Sequence, residues 1–156
     1  MIEYKEVTLN VEDIGKGMQV LGSRVATILM DGRNISAWSE EWAASLFNLK
    51  RSPNSNQKGY DLFLDHEIFK GKVAVRTLTN KVLFQQSKNI GSGRTCNMSD
   101  LINAIKKIDY QIVVDINTFP KIRFYVLSKD FLVEKIKNKE LTKNGWAYKK
   151  FHKMIA

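Results

Sequence analysis

"KGYDLFLDHEIFKGKVAVRTL", residues 58–78, holds two short apolar runs separated by a polar break, and its reading decides how the rest of the chain is arranged. YDLFLD reads as one strand, DHEIFKGK as a turn and VAVRTLT as a second strand. Side chains alternate across a strand, so Lys72, Ala74 and Arg76 share one face while Val73, Val75 and Thr77 share the other. Leu62 and Leu64 oppose Asp61 in the same way. Pairing of the two runs as a hairpin brings Asp61 and Arg76 together on one face.

Upstream, SAWSEEWAASLFN has the spacing of a helix, with Ser36 as its cap and Glu40 and Glu41 in its first turns. Trp38, Trp42, Leu46 and Leu49 fall on one side and Glu40, Ala43 and Phe47 on the other. A helix apolar on two faces is sandwiched, which assigns both tryptophans to the core. A carboxylate such as Glu40 in that setting needs a partner or a metal. Val11, Ile14, Met18, Leu21, Val25 and Ile28 form an earlier stripe, read as one helix. Gly15, Gly17 and Gly22 each cost about 1 kcal/mol in a helix interior, which favours packing on the chain's own core over a dimer seam.

Downstream, VLFQQS reads as a third strand and KNIGSGRTCN as a glycine-containing loop. Ser99 caps a helix over SDLINAIKKI, YQIVVDI is a central strand, and IRFYVLS is an alternating basic strand. Residues 128–156 form a basic segment of one or two helices divided near Asn144-Gly145. The order helix, helix, three strands, helix, two strands, helices predicts an α/β fold, a mixed sheet flanked by helices, in a single domain over residues 1–156.

A net charge of +9 is unevenly distributed: residues 1–50 carry five basic and seven acidic side chains, residues 121–156 ten and three. Such asymmetry suits either a polyanion partner or a solvated face. One cysteine, Cys96, and two histidines exclude a disulfide framework and a cysteine-rich zinc site. No run approaches the roughly 18 apolar residues of a membrane span, and the tail lacks a clean apolar face opposite its lysines, so no membrane partner and a cytoplasmic location are expected. Trp146, Tyr148 and Phe151 interleave with lysines, a pattern that fits helix packing better than nucleic-acid stacking. His66 reads as a turn residue, not a base.

The element order over residues 36–127, the glutamate-bearing helix SEEWAASLF, the KGYDL aspartate and the VAVRTLT strand together resemble the PD-(D/E)XK nuclease superfamily, which includes restriction and homing endonucleases. The resemblance implies a restriction-endonuclease-like sheet and Mg²⁺- or Mn²⁺-dependent hydrolysis of phosphodiesters in double-stranded DNA. It also implies a homodimer or higher oligomer, because cutting both strands takes two sites. Carried onto this sequence, Asp61 is a metal ligand, Glu40 a supporting ligand, the Val75 carbonyl a backbone ligand and Arg76 the catalytic cation. Lys58, Lys72, Gln86, Ser87, Lys88, Ser92 and Arg94 are the residues expected to grip or read nucleic acid.

Two positions depart from the family pattern. Ala74 stands where the second acidic ligand is usual, and Arg76 replaces a lysine. Arginine clamps a phosphate well but cannot act as a base. Three accounts of Ala74 stay open: a carboxylate supplied from Glu40 or Glu41, a chain that binds DNA without cutting it, or a substitution at that position. Simpler readings stand beside these: Asp61 as a turn residue next to Gly59, Arg76 as a cross-strand partner of Asp61 or Asp65, and the glutamates as first-turn acids.

Overall fold

A computed structural model describes residues 1–31, 34–51, 62–65, 70–86, 90 and 93–156, with backbone alone at 51 and 63–65. In chain order the elements are β1 (Glu3–Thr8), α1 (Val11–Met18), α2 (Gly22–Leu29), α3 (Ile35–Phe47), β2 (Lys50–Arg51), β3 (Leu62–Asp65) and β4 (Lys70–Leu78). They continue with β5 (Lys81–Val82), α4 (Met98–Lys106), β6 (Tyr110–Thr118), β7 (Lys121–Ser128), α5 (Lys129–Lys137), β8 (Trp146–Ala147) and α6 (Tyr148–Ile155).

The opening hairpin is present: Leu62 lies opposite Val73 and Asp65 opposite Lys70 in an antiparallel ladder. Its second strand then pairs in parallel with β6, from Val73 opposite Tyr110 to Leu78 opposite Asp115. With the remaining pairs antiparallel, the strands form one mixed sheet in the order β1-β7-β6-β4-β3-β2. Central β6 is buried from Gln111 to Ile116, the signature of a strand covered on both faces.

Alternation along the strands sorts the core into two layers. Val73, Val75, Ile112, Val114, Phe124 and Val126 pack with Ile35 and Ala43 of α3 on one face. Leu78, Val113, Tyr125 and Leu127 pack with Leu101 and Ile105 of α4, Leu132 of α5, and Trp146 and Phe151 on the other. Each such fully buried side chain stabilises the fold by roughly 1.5–3 kcal/mol relative to exposure. The aromatic residues Trp146 and Phe151 are therefore core, as helix packing predicts, and the tail does divide at Gly145.

Several expectations are corrected. The stripe over residues 11–28 belongs to two short helices, because Gln19 takes a left-handed conformation (φ 57) that ends α1. Gly15 allows the pair to close: a Cβ there would sit 2.7 Å from the Val20 carbonyl oxygen. The polar start forms edge strand β1, tied to β7 by Glu6 with Lys121 (3.3 Å) and Arg123 (3.8 Å). Asn34, not Ser36, precedes α3, and α4 is capped by Asn97, not Ser99, in a reciprocal capping box with Asp100. Of the described residues of the expected third strand VLFQQS, only Val82 is in a strand, and together with the preceding Lys81 it pairs with Trp146 and Ala147 outside the main sheet. Trp38 is not core; it is 40% exposed and stacks on Trp42.

Asp109 joins two elements, accepting from the Lys72 amide at 2.9 Å and pairing with Lys129 Nζ at 3.2 Å. Partial burial opposes its ionisation, but these partners prevail and lower its pKa. A lowered folded-state pKa gives stability that is present above the unfolded value near 3.9 and lost as pH falls through the folded one. Asp109→Asn is thus expected to lower the urea midpoint at pH 7 and to match the parent in strong acid; equal midpoints at pH 7 would contradict this.

Gly145 sits at φ +66, and a Cβ there would fall 2.0 Å from the Val82 carbonyl oxygen. Gly145→Ala should destabilise the chain by roughly 2 kcal/mol. A denaturant titration showing no loss would remove the argument for this close approach.

Candidate functional site

The site begins with one hydroxyl pair. Ser39, fully buried on α3, lies 2.8 Å from Thr77 Oγ1 of β4 and seats the helix on the strand. Helical spacing then brings Ser36 and Glu40 to the same side of α3, and both line a cleft of about 410 Å³. Glu40 is half-buried and Glu41 exposed, so the glutamate of the cleft is Glu40.

The opposite wall comes from the carboxyl end of β4: Val75, Arg76, Thr77 and Thr79, followed by Lys81, Leu83 and Ile90. In the described residues β3 accompanies β4 only as far as Val73, whereas β6 continues to Leu78. Past Val73 the strand stays paired in parallel with β6, and the cleft lies at its carboxyl end. Carboxyl ends of parallel strands are where open α/β sheets usually receive ligands.

Arg76 is half-buried, and its guanidinium is partly committed to the fold. Nη1 donates to its neighbour's carbonyl, Val75 O, at 2.7 Å, and Nη2 donates to the Gln85 carbonyl at 3.0 Å. Gln85, itself buried, donates through Nε2 to the carbonyl of Lys143 in the tail. A planar fork reaches two carbonyls at once, which a lysine ammonium does less well. This gives a structural reason for arginine at position 76.

Of the residues singled out in the sequence, Glu40, Val75 and Arg76 meet in this cleft. Lys72 does not: four residues before Arg76, it stands roughly 13 Å away along the strand. Gln86 is half-buried beside Gln85, and Arg94, exposed, donates to the Ile90 carbonyl at 3.1 Å. Asp61, Lys58, Ser87, Lys88, Ser92 and His66 lie outside the described residues. Ala74 is 3% exposed, and its carbonyl accepts from the buried Gln111 Nε2 at 2.7 Å.

Among the described residues no three His, Cys, Asp or Glu side chains gather as a metal-binding group. Among the described residues the cleft offers one carboxylate, Glu40, and the Val75 carbonyl, which already accepts from Arg76. Mg²⁺ commonly keeps several waters and takes one or two carboxylates together with substrate phosphate. That sparse donor set fits such an ion only with ligands added by the substrate and water.

Sequence reading missed Ser36, Thr77, Thr79 and Lys81 as cleft residues, since no motif marks isolated hydroxyls. It also missed Asp115, a fully buried carboxylate in the apolar run YQIVVDI. Asp115 accepts from the Asn117 amide (2.9 Å) and Nδ2 (2.8 Å) and meets His152 Nε2 at 3.1 Å. Asn117 Nδ2 also donates to the carbonyls of Leu78 (2.9 Å) and Thr79 (3.1 Å), so this network braces the strand end that forms the cleft. Burial, and then the Asp115 charge, push the neighbouring Tyr125 hydroxyl up to about 12.

No helix among the described residues is long and apolar enough to cross a membrane. Comparisons with protein-family models, curated proteins and solved structures return no match.

Arg76→Lys is expected to cost about 1 kcal/mol, the worth of a typical hydrogen bond, and to speed amide exchange at Gln85 and Gln86. Unchanged exchange there would show that the guanidinium does not hold the segment.

Proposed function

We propose that the chain is a Mg²⁺-dependent DNA endonuclease of the restriction or homing type, acting on double-stranded DNA as a dimer. The observation that carries the reading is the meeting of Glu40, Val75 and Arg76 in one cleft at the carboxyl end of β4. In this reading Arg76 and Lys81 face the scissile phosphate, and Ser36, Thr77 and Thr79 offer hydroxyl donors to its oxygens. Glu40 and the Val75 carbonyl would hold the ion, with Asp61 as the further ligand that the resemblance implies. When bound, the ion neutralises phosphate charge and lowers the pKa of an attacking water. Arg76 stabilises the negative charge that grows on the phosphate oxygens and takes no proton.

A second reading, a DNA-binding protein on a nuclease-like fold that does not cut, is favoured by one observation. The Val75 carbonyl that a metal would use already accepts from a guanidinium 2.7 Å away, and Ala74 offers no donor in compensation.

Plasmid cleavage with Mg²⁺ or Mn²⁺, run beside a low-salt gel shift, separates the two. The nuclease reading expects metal-dependent nicking that falls about 100-fold in Asp61→Ala and Glu40→Gln while DNA binding persists. Binding without nicking in either ion supports the second reading, as does a gain of cutting in Ala74→Glu. Absence of DNA binding by the parent chain overturns both.

A further inference from the structure

Beyond the cleft, the structure has a second depression of about 360 Å³, lined by Arg94, Thr95, Cys96, Lys143 and Asn144. We propose that it is a separate subsite for a phosphate of the nucleic-acid backbone flanking the one in the cleft. This inference rests on the DNA-acting reading above.

Three observations converge on it. Among the described residues the lining supplies two cations, a hydroxyl, a thiol and an amide, and no carboxylate, and cations with hydroxyl and amide donors are the chemistry that receives a phosphodiester oxygen. Next, the two depressions share one segment of chain: Leu83 and Ile90 line the cleft, Arg94 to Cys96 line the second, and the Arg94 guanidinium donates to the Ile90 carbonyl at 3.1 Å. Finally, Gln85 links the two from beneath. Its carbonyl accepts from Arg76 of the cleft, and its side-chain amide donates to the backbone of Lys143 in the second depression. Gln85 is 2% exposed, so this link is internal and fixes the Lys143 turn relative to Arg76.

The Lys143 backbone is thus held while its side chain is exposed, an arrangement that presents a cation from a rigid base. The basic excess of residues 121–156 then has a specific task at Lys143: it extends the grip of the cleft along the same strand. A backbone phosphate is favoured over a free phosphate or a lipid headgroup because Gln85 ties the Lys143 backbone of the depression to Arg76 of a cleft suited to the same chemistry.

The test is the salt dependence of binding to a duplex oligonucleotide without metal. Each lost phosphate contact lowers the slope of log K against log salt by about 0.9. Lys143→Gln and Arg94→Gln should each reduce the slope by about that amount. Lys16→Gln, the same charge change on α1 where the side chain pairs with Asp13, should leave it unchanged. Lys81→Gln reports on the cleft itself. A reduced slope in Lys81→Gln with a parental slope in Lys143→Gln overturns the subsite and leaves the cleft reading intact. No salt-dependent binding by the parent overturns both. Equal loss in Lys143→Gln and Lys16→Gln overturns the subsite in favour of net charge alone. Cosedimentation with phosphatidylserine vesicles that is lost in Lys143→Gln, while the DNA slope is kept, overturns it in favour of a lipid surface.

Discussion

Everything in this molecule hangs on the unequal company kept by β4. One edge of the strand is hydrogen-bonded in parallel to β6 as far as Leu78, while in the described residues the antiparallel neighbour β3 reaches only Val73. The carboxyl end of a strand paired in parallel is where the backbone and side chains of an open α/β sheet can face a ligand. Helix α3 closes that place from one face through the Ser39–Thr77 contact, and the segment after β4 closes it from the edge through Arg76 and Gln85.

Arg76 illustrates how structural and chemical demands meet in one side chain. Its fork holds two carbonyls, and the same group forms part of a cleft wall rich in hydroxyls. A lysine would bring a more mobile point charge and a weaker tie to the neighbouring segment. Arginine at this position therefore has a mechanical role, which a motif alone does not reveal.

Much of the fold was legible because periodicity is a local property. The hairpin of β3 and β4, the buried run of β6, the alternation of β7 and the break at Gly145 all follow from patterns a few residues long. The misreadings have their origin in contacts that periodicity does not encode. The division of the first stripe depends on Gly15 meeting Val20 and Gly22 across a turn, and VLFQQS stops being a strand because β5 pairs with Trp146 and Ala147 instead of the sheet. Trp38 looked buried because helical spacing gives a face without saying what covers it. For the site, helical and strand spacing brought Glu40 and Arg76 to attention and the family resemblance added Val75, whereas Lys81 and the cleft threonines depend on where the chain turns after β4.

The tie from Gln85 to Lys143 spans 58 residues, and the pairing of Val82 with Trp146 spans nearly the same stretch. The segment that follows β4 beside the cleft is consequently braced by chain that is synthesised long after it. During translation β4 and its cations emerge while their brace is still within the ribosome or not yet made. The fixed geometry of the segment after β4 is thereby delayed until residues 143–147 have been made and docked.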